Sequence, residues 1–448
     1  MKRALNEIRE ILSRDGMFNR WLSFEKALAN AQAKLGIIPA EAAEKIAENA
    51  SADKLAMERY DEIYQKTGHP MVSMLRLLEE AIGGEAGQYI HLGATTQDVI
   101  DTANVLAVRA AMDLAEEKLF SIISAACDLA EKYAKTPMMG RTHNVHAQPI
   151  TFGYKAAIWA SELARSVERI REARKRVQCI QLSGAVGSMV SFGNDGAKIQ
   201  RLVAQELGLG VPDICWHTAR DRFGEFASDM SLIGCALGKI AQEVYLAMGT
   251  EIGELSEFWG EGRVGSSTMP HKVNPTNTQH LMGKATRLRY LSAEMQELML
   301  VDHERNMQHS IEEQKVLEEI CLCVSEVLDR GEELLSTLIV NEDNMLLNLN
   351  RLGGLTQSEH IMLELGKKIG KQKAHHMVNQ IAVDSFKKHL NFEEELKKDS
   401  FIAEVLGEQN IHELLNPFHY MGKCTEMALE TAKSIREEME IWISEKLL

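Results

Sequence analysis

Proline is scarce in this 448-residue chain, with 8 in all, and none falls between Pro149 and Pro212 or between Pro275 and Pro417. Because the proline ring removes a backbone donor and clashes with the preceding turn, such reaches leave room for long helices. No segment approaches the ~20 uninterrupted apolar residues of a membrane-spanning helix. The start, MKRALNEIREILSRDG, carries charges throughout and lacks the apolar centre of a secretory signal. The 7 cysteines are scattered, and Cys321 and Cys323 are only two apart, so there is no CxxC for zinc or dithiol chemistry. Free thiols in a reducing compartment follow, and the expected location is cytoplasmic. A basic block is missing too: 50 Lys and Arg face 65 Asp and Glu, a formal net charge of −15. That composition is a poor match to nucleic acid or an anionic membrane. An anionic substrate would need a few placed cations to overcome the field of the whole.

What is present is apolar and periodic. Hydrophobic residues make up 45% of the chain, which excludes disorder, and at ~100–200 residues per domain the length predicts two to four domains. Met112, Ala115, Leu119, Ile122, Ala126 and Leu129 recur at intervals of three and four, as do Ala156, Ala160, Leu163, Val167, Ile170 and Ala173. The stretch from Lys284 to Arg330 contains neither Gly nor Pro and reads as a further long helix. No strand-like alternation bounded by turns stands out. The expected fold is all-α with a central bundle of long helices. Breaks at Gly36, Pro39, Gly68-His69-Pro70 and Gly83-Gly84 mark shorter helices before the bundle, and Gly353-Gly354 marks their return. Three regions result: an N-terminal helical domain (1–109), the long bundle (110–352) and a C-terminal helical domain (353–448).

Three polar stretches interrupt the helical background. The first, His91-Leu-Gly-Ala-Thr-Thr-Gln-Asp98, opens a long helix; Thr95, Thr96 and Asp98 suit a helix start, whose amides attract an anion. The same residues also make an ordinary N-cap. The second, Gly140-Arg-Thr-His143-Asn-Val-His146-Ala-Gln148-Pro149, places a histidine pair at an expected loop–helix junction, as an acid/base group or as surface histidines. A zinc pair is disfavoured, since no further ligand lies at useful spacing. The third, Gly262 to Pro275, is the densest. Lys272 and Asn274 offer a cation and an amide to a carboxylate, and Ser266 or Ser267 offers a hydroxyl that becomes a base when desolvated near positive charge. A loop of this kind inside a low-proline helical chain points to function.

Gly265-Ser-Ser-Thr-Met-Pro-His-Lys-Val-Asn-Pro275 resembles the signature loop of the fumarase/aspartase superfamily, GSSxMPxKxNP, and the other two stretches match its remaining motif regions in the same order. The resemblance covers essentially the whole chain. It implies an all-α, three-domain subunit in a homotetramer, each active site drawing its three regions from three subunits. It also implies anti β-elimination from a succinyl-type, anionic dicarboxylate substrate with release of fumarate, without metal or organic cofactor. Residue by residue, Ser266 corresponds to the catalytic base and His143 to the general acid. Lys272 and Asn274, with loop amides, correspond to the groups that stabilise an aci-carboxylate. Thr95 and Thr96 correspond to hydroxyls that hold substrate carboxylates, with Gln148 a weaker match to that task. Ser267 and Met269 of the loop, His69 in Gly-His-Pro, His91, and Arg305 of His303-Glu-Arg305 correspond to positions around the substrate.

Two branches compete. Gly140 to Gly153 and His303-Glu-Arg-Asn-Met-Gln-His-Ser310 are similar to adenylosuccinate lyases. Gly93 to Thr102, Trp216-His-Thr-Ala-Arg-Asp-Arg222 and Gly370 to His375 are similar to 3-carboxy-cis,cis-muconate cycloisomerases. An amine or amide leaving group needs a proton donor, and His143 is the residue that cycloisomerases of this type usually lack. The resemblance therefore implies C–N cleavage, with the lactonising reaction as the alternative. Ala219 and Gln314 stand where adenylosuccinate lyases usually carry Gln and Arg, and the N-terminus lacks their Arg-Tyr pair. Losing an Arg removes a bidentate phosphate contact, which points to a smaller N-succinyl substrate.

Overall fold

The apolar positions that recur at three and four are the buried ones. Ala156, Ala160, Leu163, Val167, Ile170 and Ala173 are fully buried, as are Met112, Ala115, Leu119, Ile122 and Ala126. Each buried Leu, Val or Ile side chain of these stripes stabilises the fold by roughly 1.5–3 kcal/mol. The computed structural model describes residues 3–260, 268, 269 and 271–447.

The chain is all-α, built on a set of long helices, and divides into two compact units. The first comprises Met1–Leu119, Arg165–Gly238 and Leu281–Arg330; the second comprises Phe120–Ala164, Lys239–His280 and Gly331–Leu448. Five helices come first: α1 (Ala4–Ile11), α2 (Arg14–Lys34), α3 (Ala40–Asn49), α4 (Tyr60–Thr67) and α5 (Pro70–Ile82). The long helices are α6 (Thr96–Lys132), α7 (Phe152–Val177), α9 (Asp221–Ala247), α10 (Thr276–Glu297) and α11 (Met307–Ser336), with a shorter α8 (Gly196–Leu207) among them. The chain ends in α12 (Glu342–Asn350), α13 (Ser358–Ile369), α14 (Lys371–Lys388), α15 (Phe392–Lys398), α16 (Ser400–Leu406), α17 (Glu408–Leu414) and α18 (Cys424–Leu447).

In the first unit, small residues bring helices together. A Cβ on Gly238 of α9 would lie 2.8 Å from the Ala285 methyl of α10, and one on Gly234 would lie 2.9 Å from Leu288 Cδ1. Charged pairs join two others: Arg171 and Arg174 of α7 meet the buried Glu116 of α6 at 2.8 and 2.6 Å. In the second unit, Ile361, Leu365, Phe392, Leu396, Ile402 and Ile411 form a core among α13 to α17. There α18 is tied to α6 by Arg436, which reaches Asp128 at 2.6 Å and Glu131 at 3.0 Å.

Two expectations change. Strand pairing exists: β1 (Pro137–Thr142) and β2 (Val145–Thr151) form an antiparallel hairpin, and β3 (Leu255–Ser256) pairs with β4 (Ile339–Val340). The hairpin escapes an alternation search because it is a lone pair of edge strands, where Pro149 is tolerated. The reach from Lys284 to Arg330 is also not one helix. It breaks between Glu297 and Met307, where His303 has φ 50°, and Asn306 restarts the helix by accepting from the Gln308 and His309 N–H groups. An Asn N-cap starts a new helix with no Gly or Pro to mark the break.

Candidate active site

The turn that opens α6 is held from several sides within the first unit. Glu25 of α2, itself buried, accepts from the His91 backbone N–H at 3.0 Å and pairs with His91 Nδ1 at 2.6 Å. Gln32, two turns further along the same face of α2, donates to the Leu92 carbonyl at 2.7 Å. Burial works against a charged His91, yet its bond to Glu25 and the charges of Glu25 and Asp98 hold its pKa above the ordinary value. Gly93 has φ 84°, and a side chain there would meet the Phe192 ring at 2.7 Å. Asp98 reaches back to the Thr95 N–H at 3.0 Å, which is half of a capping box and fixes Thr95 and Thr96, both half-buried, at the helix start.

Asp98 is also the centre of a buried polar group. Its carboxylate accepts from the Ser183 N–H at 3.0 Å and the Gly184 N–H at 2.9 Å, and it pairs with His217 Nε2 at 3.1 Å. Nearby, Arg220 is buried between Asp101 at 2.9 Å and Glu313, with its guanidinium over the Trp216 ring. His69 is the N-cap of α5, and its Nδ1 accepts from the Val72 N–H at 3.3 Å. Arg305 is exposed in the break before α11.

In the second unit, His143 occupies the tip of the β1–β2 hairpin rather than a loop–helix junction. His143 and Asn144 have φ 52° and 65°, the two left-handed positions of a two-residue type I′ turn. Asn and His are both among the non-glycine residues that adopt positive φ most readily, and the hairpin's register fixes the pair there. Behind the tip, the register shifts between Met139 and Arg141, and a Cβ on Gly140 would lie 2.8 Å from the Gln148 carbonyl. Arg141 donates twice to the buried Glu254, at 2.8 and 2.7 Å, and Asn348 donates to the same carboxylate at 2.9 Å. Burial and the Arg141 charge depress the pKa of His146, which faces Arg141 across the ladder. Gln148 donates to Glu359, which also accepts from the Tyr420 hydroxyl at 2.8 Å.

Of the loop residues, Ser266 and Ser267 lie outside the described residues. Met269 and Lys272 are exposed and Asn274 is half-buried. The loop's exit is anchored by Glu257, a buried carboxylate that accepts from the Asn277 and Thr278 N–H groups at 3.0 and 2.6 Å. It neutralises the start of α10. Thr95, Thr96, His69, His91 and Arg305 thus belong to the first unit, and His143, Gln148, Met269, Lys272 and Asn274 to the second. Four supporting carboxylates, Glu25, Asp98, Glu254 and Glu257, do the local fixing. Only Asp98 carries a legible signal, its place at the third position of a helix.

A sequence profile described as lyase matches residues 1–289, and one described as adenylosuccinate lyase C-terminus matches residues 354–430. The chain belongs to the fumarase/aspartase superfamily. An N-acetyl-S-(2-succino)cysteine lyase from Enterococcus italicus is 38% identical, aligned over 94% of this chain and 92% of its own. An adenylosuccinate lyase from Methanocaldococcus jannaschii is 36% identical over 96% and 94%. The crystal structure of 3-carboxy-cis,cis-muconate lactonizing enzyme from Pseudomonas putida superposes with a TM-score of 0.90 at 32% identity, covering 96% and 97%. Superfamily membership is therefore carried by the whole length of the chain, through relatives whose names describe different reactions at nearly equal identity.

Proposed function

We propose that this lyase catalyses anti β-elimination of a small succinylated compound with release of fumarate. Ser266 takes the proton from the carbon beside a carboxylate. Lys272 and Asn274 stabilise the aci-carboxylate that forms, since that proton is only weakly acidic. His143 protonates the departing heteroatom, and Thr95 and Thr96 hold the substrate carboxylates, with His69, His91, Gln148, Ser267, Met269 and Arg305 around the substrate. The three motif regions meet in sites shared among subunits of a homotetramer. The observation that carries this reading is the exposed imidazole of His143 at a braced hairpin tip, a proton donor that a leaving nitrogen requires. A leaving group without a purine phosphate is supported by Gln314, which bonds Glu318 at 3.2 Å where an Arg would serve a phosphate.

C–N cleavage of an N-succinyl compound is the first reading. A second, C–S cleavage of an S-succinyl thioether, is favoured by the 38% identity to a relative named for that chemistry. The test is a spectroscopic fumarate assay over small N-succinyl amines, N-acetyl-S-(2-succino)cysteine, argininosuccinate, adenylosuccinate and a carboxymuconolactone. Fumarate from a succinylated amine or thioether is expected. Adenylosuccinate as the best substrate would overturn the small leaving group, and turnover of the lactone alone would overturn elimination.

A further inference from the structure

Cys215 is half-buried two residues before His217, beside the Asp98 group. The His217 side chain is almost wholly buried (3% exposed), and its Nε2 is committed to Asp98 at 3.1 Å. That bond fixes the ring so that Nδ1 points away from Asp98, and among the described residues Nδ1 has no hydrogen-bond partner of standard geometry. The Cys215 thiol lies against the same ring, and Gln181 donates to the sulfur at 3.5 Å and to Asp98 at 3.4 Å. The sulfur is also approached by Gly187, where a Cβ would lie 2.6 Å away. Burial would push the His217 imidazolium down, but Asp98 and the neighbouring thiol reverse this, to about 9. Burial likewise raises the Cys215 thiol, and the neighbouring His217, through its backbone N–H and its ring, together with Gln181, more than offsets it, so the thiol is lowered. Cysteine, histidine and aspartate are thus ordered as in an activated thiol nucleophile.

We propose that Cys215 is a modification site that adds conjugated alkenes, forming a thioether beside the group that holds the Thr95–Thr96 turn. The Cys215 proton passes to His217 Nδ1, and the thiolate attacks one alkene carbon. A C–S bond forms while the π pair moves to the other carbon as an enolate. That carbon then takes the proton back from His217, so the step is a net addition without oxidant or reductant. Fumarate is one source of such an alkene if the proposed elimination holds, and uncharged alkenes are the other. An adduct here crowds Asp98 and lowers activity.

The test uses the intact protein, limiting N-ethylmaleimide and peptide mapping by mass spectrometry. Cys215 is expected to react about tenfold faster than Cys235 and Cys424, the other half-buried thiols, and to stay reactive below the ordinary thiol range near ~8.5. His217→Gln should slow Cys215 alone, with Cys235 and Cys424 rates reporting that the fold is intact. Cys215→Ser should keep its activity in the presence of the reagent. If Cys215 labels no faster than Cys235 and Cys424, or its rate follows an ordinary thiol's pH profile, the proposal fails whatever the enzyme's substrate is. A parallel incubation with fumarate separates the sources: one fumarate mass on Cys215 assigns the product as the ligand. Maleimide labelling without a fumarate adduct assigns uncharged alkenes.

Discussion

Arg141 and Glu254 make a two-point ion pair, 2.8 and 2.7 Å, two residues from the hairpin tip that presents His143. Glu254 is 1% exposed in its side chain and Arg141 17% exposed, so the pair works in a poorly hydrated place. Removing one partner strands the other. Glu254→Ala is expected to lower stability by about 3 kcal/mol. Glu254→Gln, which keeps the shape, should lower kcat by about tenfold to a hundredfold through a misplaced His143, with KM little changed. Thermal unfolding and steady-state kinetics on the same samples check both. An unchanged kcat would mean the hairpin tip does not need this brace.

His143→Ala distinguishes the leaving group. A departing nitrogen needs its proton, and losing the donor is expected to lower turnover by about 10²–10⁴. A thiol with a pKa near ~8.5 leaves as the anion far more readily, so the loss on an S-succinyl substrate should be at least about tenfold smaller. Ser266→Ala should abolish both reactions. Comparing kcat/KM for the two substrate types in one variant makes the measurement, and equal losses would remove His143 from the acid role.

Sites shared among subunits have a separate signature. Mixing the inactive Ser266→Ala and His143→Ala proteins under conditions of subunit exchange should restore part of the activity. Exchange confirmed by mass spectrometry with no recovery would count against composite sites.

Asp229 gives a pH dependence of stability. Burial and the neighbouring Glu225 push its carboxyl up from the ordinary 3.8 to about 6, with Glu172 acting in the same direction and Arg169 and Arg176 opposing. The native state therefore holds this proton at a pH where the unfolded chain has lost it. Stability falls as pH rises from about 4 to about 6, and the penalty is complete above that window. Asp229→Asn should raise Tm more at pH 7.5 than at pH 4, as read by thermal scans at both; an equal gain would assign the effect to packing instead.

Gly153 and Gly238 separate backbone from side-chain crowding. At Gly153 an added Cβ would lie 2.4 Å from the Ala130 carbonyl and 2.5 Å from Ala134 Cα, atoms that cannot swing aside. At Gly238 the neighbour is a methyl at 2.8 Å. Alanine recovers about 1 kcal/mol of helix propensity over glycine, against overpacking of about 1–3 kcal/mol. Gly238→Ala should be mildly destabilising, and Gly153→Ala strongly so.

The fold was legible where one spacing sufficed. The stripes along α6 and α7 name their own buried residues, because period and burial are the same fact in an amphipathic helix. The hairpin was not legible, since two short strands around His143-Asn144 leave too few alternations to count. The break before α11 was hidden too, because Asn306 ends it without Gly or Pro. Of the candidate site, the exposed polar motifs could be read directly. Their anchors could not: Glu25 lies 66 residues from His91, and Arg141 lies 113 residues from Glu254. A buried carboxylate looks like any surface acid until its partner is known.

The grip of Glu25 and Gln32 on the residues ahead of Thr95 ties this turn to the front end of the polypeptide. A protein shortened by its first forty or so amino acids would lose the buried Phe18, Leu22, Phe24 and Leu28 of α2 together with that grip. Such trimming would cost the first unit part of its packing and the Thr95 turn its footing in a single cut.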